Sequence, residues 1–165
     1  MNKPRQYSVF EYLYRDAANW KAWGKLLLLG DVSPADVALM EVKLDAGEFF
    51  IPEQLGVPPL FHKLWQGSIR PSSDDHPWHE LVALRAAMTE EIENCPKWGS
   101  LKTLLDRVKA VKSWDPIHSQ GNIAMCESYM REFTQVLAGI QIGRSEILIL
   151  TSRSCRRRID LVNSP

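Results

Sequence analysis

The chain has 165 residues, 45% apolar and 24% charged, with 20 Lys and Arg balanced by 20 Asp and Glu. That is one ordinary domain, large enough to hold a core without metal or disulfides, or one domain with a terminal extension. No apolar run approaches a membrane span, and the N-terminus lacks the apolar core of a signal peptide. Cys95, Cys126 and Cys155 are too scattered for a disulfide framework or a zinc knuckle, so reduced thiols in a cytoplasmic protein are expected. The zero charge is unevenly spread. Residues 1–93 carry 9 basic against 14 acidic side chains (−5), and residues 94–165 carry 11 against 6 (+5). Such a split suits either two halves that attract each other or a basic face for an anionic partner.

Tyr7 to Tyr14 has aromatic and β-branched residues at strand density. Alternation puts Tyr7, Val9, Glu11 and Leu13 on one face and Ser8, Phe10, Tyr12 and Tyr14 on the other. Arg15 to Asn19 is polar and turn-tolerant. Trp20 to Leu29 reads as strand or helix, and Gly24 with the leucine run favours a strand paired with the first. Ser33-Pro34-Ala35-Asp36 starts a helix in which Val37, Met40 and Leu44 share a face before Gly47. Phe49-Phe50-Ile51 is a short strand.

It leads into the most shape-constrained stretch, Glu48 to Trp65. Pro52, Pro58 and Pro59 fix the backbone, Gly56 offers a left-handed position, and Leu60, Phe61 and Trp65 add bulk. This stretch is expected to pack down as a plug that organises the fold.

Residues 67–77 are loop-like, Trp78 to Ala87 reads as helix or strand, Thr89 caps a short turn, and Pro96 to Gly99 punctuates. Ser100 to Trp114 is the clearest helix, with Leu101, Leu104, Leu105, Val108 and Val111 inward and Lys102, Asp106, Lys109 and Lys112 outward. Asn122 is placed to cap another helix with Cys126, Tyr129, Met130, Phe133 and Leu137 as its buried stripe. Ile147 to Leu150 reads as a last strand, and the basic tail 151–165 is expected to be partly disordered. The predicted fold is α+β within residues 1–150: a small, mostly antiparallel sheet from Tyr7–Tyr14, Trp20–Leu29 and Phe49–Ile51, packed on helices, with a helical C-terminal half.

Tyr7 to Asp16, Phe50 to Leu60, and Asp75-His76-Pro77-Trp78-His79-Glu80 together resemble a group of small bacterial proteins described as uncharacterised. The resemblance spans roughly the first two-thirds of the chain. It implies a compact bacterial protein and brings no activity, cofactor or site residue with it.

Three functional classes compete. Asp74, Asp75, His76, His79 and Glu80, with His62 nearby after the plug, are the residue types of a metal or acid–base site, and His76, His79 and Glu80 are the candidate ligands of a metal-dependent hydrolase. The spacing is not that of a zincin helix, and Pro77 interrupts it. No nucleophile elbow or phosphate-binding glycine loop occurs, which weighs against an enzyme and implies no cofactor. Nucleic acid is the second class, through Arg131, Arg144, Arg153, Arg156, Arg157 and Arg158 with the lysine face of the clearest helix. The third is favoured: an accessory or regulatory protein that binds another protein or another copy of itself. Its candidate surface is the aromatic N-terminal region with nearby arginines (Tyr12, Tyr14, Arg15 and Trp20), together with Arg156, Arg157 and Arg158.

Overall fold

The computed structural model describes residues 6–65, 71, 74–119, 121–123 and 125–127. At its centre β1 (Tyr7–Arg15) and β2 (Lys21–Leu29) form an antiparallel hairpin, as the leucine run and Gly24 led us to expect. Asp16 closes the turn. Its N–H donates to the Trp20 carbonyl at 3.1 Å, and its carboxylate accepts the Trp20 N–H at 2.8 Å. Asn19 takes the left-handed position at φ 69°, which its short polar side chain tolerates.

Three further strands complete the sheet: β3 (Phe49–Phe50), β4 (His79–Ala86) and β5 (Lys97–Ser100). The order is β3-β4-β1-β2-β5, with every pairing antiparallel except β2 with β5. The chain is therefore α+β with a mostly antiparallel sheet. Two of the strands exceed the three-strand expectation. β4 settles the ambiguous Trp78–Ala87 stretch by pairing along β1, with a bulge that leaves Val82 between Leu81 and Ala83 unmatched. β5 carries a glycine and follows a proline, so its composition gave no strand signal. Pairing supplies the order instead, beginning where Leu27 N–H donates to the Pro96 carbonyl at 2.9 Å.

The helices are α1 (Pro34–Lys43), α2 (Pro52–Leu55), α3 (Thr89–Asn94) and α4 (Leu101–Ala110). Ser33 caps α1 as expected, accepting the Asp36 N–H at Oγ at 3.3 Å, and Asp36 goes beyond the expected dipole contact by accepting the Ser33 N–H at 2.9 Å. Thr89 is the first residue of α3 and not its cap; the Glu91 carboxylate accepts the Met88 N–H at 3.1 Å instead. Ser100 caps α4, which ends before Val111, short of Trp114. The helix expected from Asn122 is opened by Ser119, whose Oγ accepts the Asn122 N–H and whose carbonyl accepts the Ile123 N–H, both at 3.0 Å. Tyr129, Met130, Phe133, Leu137, the strand expected at Ile147–Leu150 and the tail 151–165 lie outside the described residues.

One core joins the inner face of the sheet (Phe10, Tyr12, Tyr14, Leu26, Leu28) to Met40 of α1 and Leu101, Leu104, Leu105 and Val108 of α4. The plug fills the rest, with Phe50, Ile51, Leu55, Val57, Leu60 and Phe61 all buried. Two glycines make room for it. Tyr12 lies opposite Gly24 in the hairpin, and a Cβ at Gly24 would stand 2.9 Å from both the Tyr12 ring and Leu60 Cδ2. Gly56 ends α2 at φ 62°, with the Arg107 guanidinium against it. That guanidinium donates to the Leu55 carbonyl at 2.8 Å and lies over the Trp98 ring at 5.0 Å, while Trp98 Nε1–H donates to the Gly56 carbonyl at 3.0 Å.

Candidate functional site

Alternation along β1 and β2 divides the candidate residues between two faces. Tyr12 and Tyr14 point inward and are buried, so they are core residues and not part of an accessible surface. Tyr12 donates its hydroxyl to the Pro58 carbonyl at 2.8 Å, and Tyr14 donates to Asp75 Oδ1 at 2.6 Å. Burial pushes both phenols above their ordinary range, Tyr14 further because it already donates to a carboxylate. Large aromatics in a small sheet went to the covered face, where each contributes about 1.5–3 kcal/mol by leaving water.

The histidine–carboxylate group lies at the same edge. His79 opens β4 opposite Phe50 and is fully buried, among the rings of Tyr12, Tyr14, Phe50 and Phe61. Leu60 N–H donates to His79 Nε2 at 2.8 Å, so the ring proton sits on Nδ1, which faces the Pro77 carbonyl at 3.2 Å. Burial lowers the His79 pKa to about 3, and the imidazole is neutral. Glu80, the next strand residue, points to the opposite face and holds the Arg15 guanidinium in a two-point pair at 2.9 and 3.0 Å.

The His76 ring stands edge-on to Tyr14 at 5.4 Å, its pKa lowered by burial, and its Nδ1 is buried with no hydrogen-bond partner. Asp75 accepts from Tyr14 and, at 3.1 Å, from Trp65 Nε1–H. His62 packs beside Phe61 and Trp65, at 4.3 and 4.9 Å between ring centres. His76, His79 and Glu80 thus do not converge: β4 begins at His79, and alternation sends its first two side chains apart. Among the described residues, no group of three or more His, Cys, Asp or Glu is placed to hold a metal ion.

The outer face is divided along its length. At one end, Glu91 of α3 receives the Arg85 guanidinium at 2.6 and 2.7 Å and Lys25 Nζ at 3.1 Å, and Glu11 joins the same cations. These contacts hold the Glu91 carboxyl down at about 2 and raise Arg85 and Lys25. Val9 and Leu27, cross-strand partners at this end, are buried. At the other end Leu13 faces outward and is also buried, but the side chains around it stay exposed. Trp23, opposite Leu13, is 51% exposed, Trp20 at the hairpin turn is 70% exposed, and Val82 at the bulge is 42% exposed. The Arg15–Glu80 pair runs beside them, and Lys63 Nζ donates to the Trp23 carbonyl at 2.7 Å.

Of the sequence-derived binding residues, the structure therefore brings Arg15 and Trp20 to one exposed end, adds Trp23 and Val82, and removes Tyr12 and Tyr14. Arg156, Arg157 and Arg158 lie outside the described residues. Trp23 was legible as an outward position once the hairpin register was known; Val82 depends on a bulge that no sequence signal marks.

No protein-family model, curated protein or solved structure matches the chain.

Proposed function

We propose that this chain is an accessory or regulatory protein that binds another protein through the outer end of its central hairpin. The observation that carries the reading is the exposure of Trp20 at the hairpin turn and of Trp23 three residues on in β2, at 70% and 51%. Tryptophan and arginine dominate binding hot spots, because each brings a large contact area with a polar handle. Exposed Lys21 and Lys63 flank the indoles, so the complementary partner carries an apolar recess rimmed by carboxylates. The −5/+5 charge split suits association with an oppositely charged surface. A cytoplasmic location belongs to the same proposal and is supported by the free thiol of Cys95. No helix among the described residues is long and apolar enough to cross a membrane.

The test is co-purification from the protein's own cell, followed by titration of the identified partner against wild type and Trp20→Ala. A tenfold or greater loss of affinity with unchanged folding supports the proposal. Light scattering at low and high salt tests self-association in parallel, since surface attraction weakens as the Debye length shrinks.

A second reading has one observation in its favour. Exposed indoles beside Lys21 and Lys63 are also the residue types on which single-stranded nucleic acid stacks. Oligonucleotide binding with a steep salt dependence, lost in Trp20→Ala, would favour that reading over the protein partner.

A further inference from the structure

The segment Pro58–Trp65 lies across β4, β1 and β2 as a strap tied down by side chains and not by strand pairing. Tyr12 holds the Pro58 carbonyl at 2.8 Å, His79 Nε2 accepts the Leu60 N–H at 2.8 Å, and Asp75 accepts Trp65 Nε1–H at 3.1 Å. Pro58 and Pro59 have no N–H, so Leu60 offers the first amide of the strap. That amide bonds a titratable side chain, whereas the Lys63 and Leu64 amides bond the strap's own Leu60 and Phe61 carbonyls.

An imidazole nitrogen accepts a hydrogen bond only while it carries no proton. A second proton would set an N–H against the Leu60 N–H, in a site walled by Tyr12, Tyr14, Phe50 and Phe61. The titratable groups facing His79 are Tyr12 and Tyr14 from β1 and His76 from the loop before β4. Phe50 of β3 and Phe61 of the strap bring no charge, and Asp75 accepts from the Tyr14 hydroxyl. Nothing among these offers the cation a counter-charge at its own nitrogens, one of which already meets the Pro77 carbonyl.

We propose that the Pro58–Trp65 strap is an acid-releasable latch, held on the sheet by neutral His79 and let go, with the hairpin intact, when His79 takes a second proton. The sign follows from linkage. The closed latch keeps His79 at a pKa of about 3, and a released, solvated His79 titrates near its ordinary 6.5. Latching is therefore complete above the released value and weakens as pH falls toward the closed one, the opening constant rising by up to tenfold per pH unit. Release frees Phe61 and Trp65 from their buried contacts and withdraws Lys63 from the Trp23 carbonyl, so it also reaches the exposed tryptophan end.

The experiment is amide hydrogen exchange by NMR on the full chain between pH 7.5 and 4.5, corrected for intrinsic rates. It compares Leu60, Lys63 and Leu64 with the amides that pair β1 and β2. We expect the opening constant of the strap to rise by roughly 50-fold between pH 6.5 and 4.5 while the hairpin amides stay protected. In His79→Gln, whose amide oxygen can accept from Leu60 without titrating, the slope disappears. Strap opening that ignores pH, strap and hairpin opening together, or an unchanged slope in His79→Gln would each overturn the proposal. Should His79→Gln not fold, the ring-nitrogen shifts of wild-type His79 decide: Nε2 without a proton down to pH 5 supports the latch, and an ordinary titration near 6.5 refutes it.

Discussion

The two faces of the β1–β2 hairpin are built from similar residues and put to different use. Phe10, Tyr12 and Tyr14 alternate along β1 with Val9, Glu11 and Leu13, and the inner set lies in one continuous core with the plug and α4. On the outer face, Glu91 gathers Arg85 and Lys25 at the end where Val9 and Leu27 are buried, while Trp20, Trp23 and Val82 are exposed at the other. Aromatic content alone therefore does not separate core from surface in a two-faced sheet. Cover separates them, and cover comes from elements distant in sequence.

Substitutions on the inner face should give the largest effects. Phe10→Ala removes a fully buried ring that packs on Tyr12 at 5.2 Å and Phe50 at 5.6 Å, and should cost about 3–5 kcal/mol in urea unfolding. A loss below ~1 kcal/mol would mean that this face is not the core described. Gly24→Ala sets a methyl against Tyr12 and Leu60 at 2.9 Å and should cost about 1–3 kcal/mol, with the strap disturbed before the hairpin.

The covered end of the outer face comes next. Glu91, held at about 2, contributes stability that is complete above the ordinary carboxylate value and is lost as pH falls through about 2. The gap between wild type and Glu91→Gln, about 2 kcal/mol near neutral pH, should accordingly narrow below about pH 4.5 and close near pH 2. A gap that persists in acid would show that packing, and not charge, secures α3. Smallest of all, Trp20→Ala should change stability by no more than ~0.5 kcal/mol.

The legible part of the sequence was whatever local chemistry decides. Ser33 caps α1, Gly56 takes the left-handed φ, and the plug buries Phe50, Ile51, Leu55, Val57, Leu60 and Phe61. Elements that depend on a distant partner were not legible. β5 is ordered by pairing with β2, beginning where Leu27 bonds Pro96, and α3 meets the hairpin through Glu91 and Lys25. The histidine cluster shows the same limit. Its residue types suit a metal, but where β4 begins sends His79 inward and Glu80 outward. Of the candidate binding residues, Trp20 is exposed and Arg15 part-exposed, whereas Tyr12 and Tyr14 are buried, because composition does not say which face is covered.

The most direct test of the central claim, that Trp20 and Trp23 serve binding and not folding, is to measure stability and affinity on one double variant, Trp20→Ser with Trp23→Ser. The account predicts unfolding within ~0.5 kcal/mol of wild type per substitution, together with affinity for the protein's partner at least tenfold weaker. A destabilisation of several kcal/mol, or undiminished affinity, would contradict it.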